Sequence, residues 1–182
     1  MIQALPIDTQ DIVVTASRVA EAQEQTPASV TLIDAQRVER LGQPLVPALL
    51  RLAPSVAVAT SGPAGSLTEV RIRGAEANHT LLFVDGIRAN DPAAANTPRF
   101  ELLNADLFSR IEVLRGPQSA LWGSEAIGGV ISVDSGADAA GSRLGALGEF
   151  GSFRFRRAAV QGSHGAGELS LSGALGWQRA RG

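Results

Sequence analysis

The spacing of apolar positions changes character twice along the chain, and the changes mark three stretches. Residues 1–27 are polar, hold no sustained period and end at Pro27; only "DIVVTA", residues 11–16, is β-prone. From Ala28 the pattern is that of a mixed α and β domain. "ASVTLI" reads as a strand, and Asp34 then caps a helix running through Leu41. Ile33 and Val38 stand at hydrophobic-staple spacing, and Gly42 terminates the helix. "LVPALLRLA" reads as a second short helix, with Leu45, Leu49 and Leu52 on one face and Pro54 ending it. Residues 59–68 are small and polar with Gly and Pro, which predicts a loop. "EVRIRG" and "TLLFVDG" read as strands, the second closed by an Asp85-Gly86 turn. Residues 88–100 form a second long irregular segment. Two such loops tied to β segments suit a scaffold that displays a binding surface.

Residues 110–133, "RIEVLRGPQSALWGSEAIGGVISV", carry the densest signals. Ile111, Glu112, Val113 and Leu114 read as a strand; Gly116-Pro117 turns the chain into a short helical turn through Leu121, which Gly123 ends. Gly128-Gly129 returns the backbone to a strand at residues 130–133. After residue 139 the pattern changes again. "LGALGEF", "SFRFRRAAVQG" and "GELSLSGALGWQ" are β-like segments divided by Gly/Ser turns. In the last, Leu169, Leu171, Leu175 and Trp177 share one face, and Glu168, Ser170, Ser172 and Gln178 share the other. A soluble antiparallel sheet and a lipid-facing strand with an interfacial Trp both predict this alternation. No helix is visible to cover the apolar face, which favours the lipid-facing reading.

Composition narrows the chemistry. The 182 residues carry 18 acidic and 16 basic side chains, a net charge of −2, which argues against a broad basic surface for nucleic acid. Without cysteine there is no disulfide, thiolate metal site or cysteine nucleophile. His79, near a strand start, and His164, in an expected turn, have no partner at metal-ligand spacing. The glycines of residues 116–129 lack both a P-loop ending and the dinucleotide fingerprint, so a nucleotide site is rejected. No nucleophile–base pair or metal cluster points to an enzyme. No apolar run nears the roughly 20 residues of a membrane helix, which does not bear on a membrane β-barrel. The first residues, "MIQALPIDTQ", lack the basic-then-apolar pattern of a secretory leader.

In order, "DIVVTASR", "VRIRG", "LLFVDGIR" and "RIEVLRGPQSALWGSEAIGGVISV" resemble the plug domain of TonB-dependent outer-membrane receptors. The likeness covers essentially the whole chain, and the Arg-Gly-Pro to Gly-Gly-Val block is its most specific part. Residues 53–90, "APSVAVATSGPAGSLTEVRIRGAEANHTLLFVDGIRAN", are similar in spacing to the cobalamin-receptor branch; siderophore receptors share the framework. The resemblance implies an α+β plug with a small mixed sheet and short helices, followed by the first antiparallel strands of a transmembrane β-barrel. It divides the chain into a leader at 1–27, a plug at 28–139 and wall strands at 140–182. A barrel of about 22 strands is the family's frame, and some 40 residues cannot supply it, so a fragment is expected.

The resemblance further implies uptake without covalent change to the ligand, in the outer membrane of a Gram-negative bacterium, with no cofactor or resident metal. Its partners would be TonB, cobalamin or another metal chelate, and outer-membrane lipid; a stand-alone periplasmic plug module is the alternative outside transport. Asp11, Ile12, Val13, Val14, Thr15 and Ala16 correspond to the TonB box, a peptide that adds a strand to its partner. On local chemistry alone the same run reads as an edge strand. The ligand-facing positions would be Ser61, Gly62, Pro63, Gly65, Ser66 and Leu67 in the first loop and Ala89, Asn90, Asp91 and Asn96 in the second. Arg71, Arg73, Glu112 and Arg115 are expected to join in a salt-bridged network against a polar barrel lumen; an ordinary solvated strand face is the other reading.

Overall fold

β-branched and leucine-rich runs 28 residues and more into the chain zip into one mixed sheet. A computed structural model describes residues 12–13, 21–22, 28–135, 141–166 and 169–180. Strands β1 (Ile12–Val13) and β2 (Glu21–Ala22) come first, and β3 is Ser29–Asp34. Helices α1 (Ala35–Leu41) and α2 (Val46–Leu50) follow, then a hairpin of β4 (Val56–Thr60) and β5 (Thr68–Ile72). Next come β6 (Thr80–Val84), β7 (Ile87–Arg88), β8 (Asn90–Asp91) and β9 (Thr97–Pro98). Strand β10 (Arg110–Arg115), helix α3 (Ser119–Trp122) and β11 (Gly129–Asp134) complete this part. The five-stranded sheet has the order β3-β10-β11-β6-β7, antiparallel except where β11 runs parallel to β6.

Period-2 alternation gives the sheet two apolar faces. Ile33, Ile111, Val113, Ile131 and Val133 pack on one side with Leu49 and Leu50 of α2, Val70 and Ile72 of β5, and Phe100. Val30, Leu81, Leu114 and Val130 form a smaller cluster on the other, against Ala126, Phe83 and Trp122. Phe83 and Trp122 stack tilted, with centroids 4.6 Å apart. Caps set α1 as the sequence predicts: Asp34 Oδ1 accepts the Arg37 N–H at 2.7 Å, and Gly42 ends the helix at φ 57°. Gly129 lets β10 and β11 pair closely, because a Cβ there would run into the Leu114 carbonyl.

Four local expectations are corrected. The loop over 59–68 is shorter, since Val56 and Val58 lean on the core and draw Thr60 into pairing with Thr68. Helix α2 ends at Leu50, so Leu52 falls outside the buried face that Val46, Pro47, Leu49 and Leu50 form. Residues 88–100 are not irregular: β8 and β9 pair around a turn of 3-10 helix at Pro92–Ala94. His164 sits within a strand, not a turn, with Nδ1 2.7 Å from Ser142 Oγ.

The mixed sheet is followed by three long antiparallel strands, β12 (Gly141–Phe150), β13 (Arg156–Ala166) and β14 (Leu169–Arg179). Register places Ala146 beside Val160, Val160 beside Leu175, and Ala158 beside Trp177, all on the outward face. Leu144 is 85% exposed there and Leu175 77%. The inward face meets the mixed-sheet part: Arg157 and Ala159 are buried, and a Cβ on Gly176 would come within 2.5 Å of Asn104 Nδ2. No helix among the described residues is long and apolar enough to cross a membrane, which says nothing of strands.

Candidate functional site

Strand β1 joins neither large sheet. Ile12 pairs with Ala22 and Val13 with Glu21, antiparallel, so β1 is zipped to β2. This departs from the edge-strand alternative, in which β1 would extend the following domain. Asp11, Val14, Thr15 and Ala16 lie outside the described residues.

The first loop closes the β4–β5 hairpin. The Ser61 N–H and hydroxyl both donate to the Leu67 carbonyl, at 3.0 and 3.2 Å, and the Ser66 N–H donates to the Pro63 carbonyl at 2.9 Å. Gly65 takes φ 90°, a turn conformation open to glycine. Ser61, Gly62, Pro63, Gly65 and Leu67 are exposed and Ser66 half-buried, so hydroxyls, amides and one leucine face outward.

The second loop is more internally bound. Asn90 Oδ1 accepts the Leu82 N–H at 2.9 Å, while its Nδ2 donates to the Thr80 and Asn96 carbonyls at 3.1 and 2.7 Å. That amide locks the loop to β6. Asp91 Oδ1 caps the 3-10 turn by accepting the Ala93 N–H at 2.9 Å. Asn96, at φ 60°, donates from Nδ2 to Glu125 Oε1 at 2.9 Å, and Glu125 also pairs with Arg88. Ala89 is half-buried.

Glu101, which sequence reasoning missed, joins the bases of the two loops. Its Oε2 accepts the Thr68 N–H at 3.3 Å, at the end of the first. Its Oε1 stands 2.7 Å from Arg99 Nε, and Arg99 Nη1 is 3.8 Å from Asp91 Oδ2 in the second. The signal was a charged pair flanking a buried aromatic, Arg99-Phe100-Glu101, where the segment 88–100, read as irregular, ends.

Among the described residues, Arg71, Arg73, Glu112 and Arg115 do not pair with one another as expected. Strand spacing puts charges two apart side by side, which pairs Arg71 and Glu112 locally, while Arg73 and Arg115 reach uncharged acceptors far along the chain. Arg71 pairs with Glu69 at 2.8 Å, and Glu112 with Arg110 at 2.7 Å. Arg73, at φ 53°, donates to Ser29 Oγ at 3.4 Å, and Arg115 donates to the Pro54 carbonyl at 3.3 Å.

The charged link across the molecule is a different one. Arg157 of β13 is only 4% exposed. Its guanidinium grips both carboxylate oxygens of Asp106, the Nε–Oδ2 contact measuring 2.7 Å. Nη1 donates to the Gly42 carbonyl at the end of α1, at 3.0 Å, and to Glu149 of β12 at 3.2 Å. A two-pronged Arg–carboxylate contact with further acceptors suits a buried charge. Beside it lies a cavity of about 380 Å³ lined by Val38, Phe108, Leu147, Ala159 and Gln161. Among the described residues no three His, Asp or Glu gather as metal ligands.

Comparison with known proteins places this architecture. Residues 22–130 match the family model described as TonB-dependent Receptor Plug Domain. The fold is similar to that of the pyoverdine outer membrane receptor FpvA of Pseudomonas aeruginosa, in a structure bound to pyoverdine. There the TM-score is 0.77 and identity 20%, over 93% of this chain and 24% of that one. The siderophore receptor PiuA of Acinetobacter baumannii gives 0.69 at 23% identity, over 86% of this chain and 21% of that one. The ferric yersiniabactin uptake receptor FyuA of Yersinia pestis gives 0.64 at 22%, over 84% and 24%. The chain thus spans about a fifth to a quarter of each receptor's length.

Proposed function

The chain belongs to the family of TonB-dependent receptor plug domains, a family of transport receptors rather than enzymes, and on that premise we propose that it forms the plug and first wall strands of an outer-membrane receptor importing a ferric siderophore. The observation that carries the reading is the pairing of a well-packed plug with strands whose outward face is apolar. Leu144, Leu171 and Leu175 suit contact with lipid, and Trp177 suits an interfacial position. A stand-alone periplasmic module would leave that face in water.

The division into leader 1–27, plug 28–139 and wall 140–182 belongs to this proposal. Ligand would rest on Ser61, Gly62, Pro63, Gly65, Ser66 and Leu67 and on Ala89, Asn90, Asp91 and Asn96 of the second loop, all four half-buried, with the Asn90 amide committed internally and Ala89 against the core. Residues 11–16 would pair with TonB by strand addition, for which β1 must first leave β2. Replacing Val13 with Pro removes a backbone donor from that strand. Energised uptake by the whole receptor should be lost while ligand binding at the surface stays intact; unchanged uptake would place the docking strand elsewhere.

The cobalamin branch suggested by the spacing of residues 53–90 is the second reading. Siderophore receptors of the same fold favour the iron chelate over it. Equilibrium titration of the whole receptor with ferripyoverdine, ferric enterobactin and cyanocobalamin separates the two. Saturable binding of a ferric siderophore is expected; saturation by cyanocobalamin alone reverses the assignment.

A further inference from the structure

We propose that Glu101 is the positioning residue that fixes the two ligand loops relative to each other; this rests on reading residues 61–67 and 89–98 as the ligand surface. The loops have little means of holding one another. Their exposed residues are mostly Gly, Ala, Ser and Pro, and each is closed by hydrogen bonds of its own. Their relative placement must therefore come from their bases. There one carboxylate with 3% of its side-chain surface exposed touches both, taking the Thr68 N–H directly and reaching Asp91 through Arg99.

Core filling alone is a poor account of this residue. Taking a carboxylate out of water is costly, and an apolar side chain of similar volume often packs as well or better. What the carboxylate adds is one directed contact and one charge contact at once: Oε2 accepts the Thr68 N–H, and Oε1 holds the Arg99 guanidinium by charge at 2.7 Å, outside hydrogen-bond alignment. Phe100 beside it is fully buried in the main core, so the backbone carrying the carboxylate is anchored. Loops held in a fixed mutual geometry bind with less ordering to be done when ligand arrives. Glu101 thus acts on the ligand through the loops and need not touch it.

The test measures loop separation in the whole receptor without ligand. This chain has no cysteine, so Ala64→Cys and Ala93→Cys place one spin label within it on each loop. Glu39→Cys and Ile127→Cys report on the plug body, all four positions being exposed. Electron paramagnetic resonance then gives distance distributions for both pairs. Glu101→Ala should broaden the 64–93 distribution about twofold, as loops freed from a shared anchor explore more states. It should leave the 39–127 pair unchanged. Glu101→Gln, which keeps an oxygen for the Thr68 N–H, should broaden it less. An unchanged 64–93 distribution in Glu101→Ala overturns the proposal. Equal broadening of both pairs overturns it too, making Glu101 a residue of general stability. Since no chelate is present, this outcome is separate from the titration that assigns the ligand.

Discussion

The plug sheet and the three wall strands use the same alternation of apolar and polar side chains and turn it in opposite directions. In β10, Ile111, Val113 and Leu114 are fully buried; in β14, Leu169, Leu171 and Leu175 are among the most exposed side chains. The difference lies in what covers each face. Helices α1 and α2, the β4–β5 hairpin and Phe100 close over the first sheet, while only the inward side of the second meets the plug. An alternating strand therefore declares two faces but not which solvent each one meets.

The largest effect that separates the two regions is expected in the plug core. Phe100→Ala removes a fully buried ring and should destabilise the plug by about 3–5 kcal/mol. Leu175→Ala should change thermal unfolding of the detergent-solubilised receptor by well under that; equal losses would mean that the outward face is packed, not wetted by lipid. Breaking the link between the regions comes next. Arg157→Gln leaves Asp106 with its best partner gone, at a cost of about 3–5 kcal/mol for a fully buried pair and less where water enters. The exchange Asp106→Arg with Arg157→Asp should recover part of the loss, as read by unfolding in denaturant; no recovery would mean that the site tolerates only one orientation.

A third change probes the outward face. Leu171→Arg, farther from the interfacial Trp177 on the same outward face, should oppose membrane insertion by about 2–4 kcal/mol, the cost near the bilayer midplane. The readout is the fraction of receptor recovered in outer membranes or reconstituted vesicles, and full recovery argues against a lipid-facing strand. The smallest effect is local: Asp34→Ala deletes the α1 cap and should cost about 1 kcal/mol, visible as a small shift in unfolding midpoint with uptake retained.

Local chemistry explains what was legible. The α1 caps at Asp34 and Gly42 depend on residues within a few positions, and the structure has both. Strands β3, β6, β10 and β11 show in their β-branched and leucine runs, and the family block from Arg115 to Val130 is continuous in sequence. The contacts that organise the candidate site are of another kind. Glu101 meets Thr68 across 33 positions and Arg157 meets Asp106 across 51. No spacing rule links such pairs. Arg71 and Glu112 misled because charges suited to a long-range network found partners two residues away.

The Arg157 contact has a mechanical consequence. Glu149, which faces Arg157 across the strands, lies about 27 Å along β12 from Gly141, at ordinary strand rise. In the proposed receptor the plug would thus be fastened to the wall twice, by peptide bonds at one end of β12 and by charge toward the other, so a plug variant without Arg157 would be held by its covalent end alone.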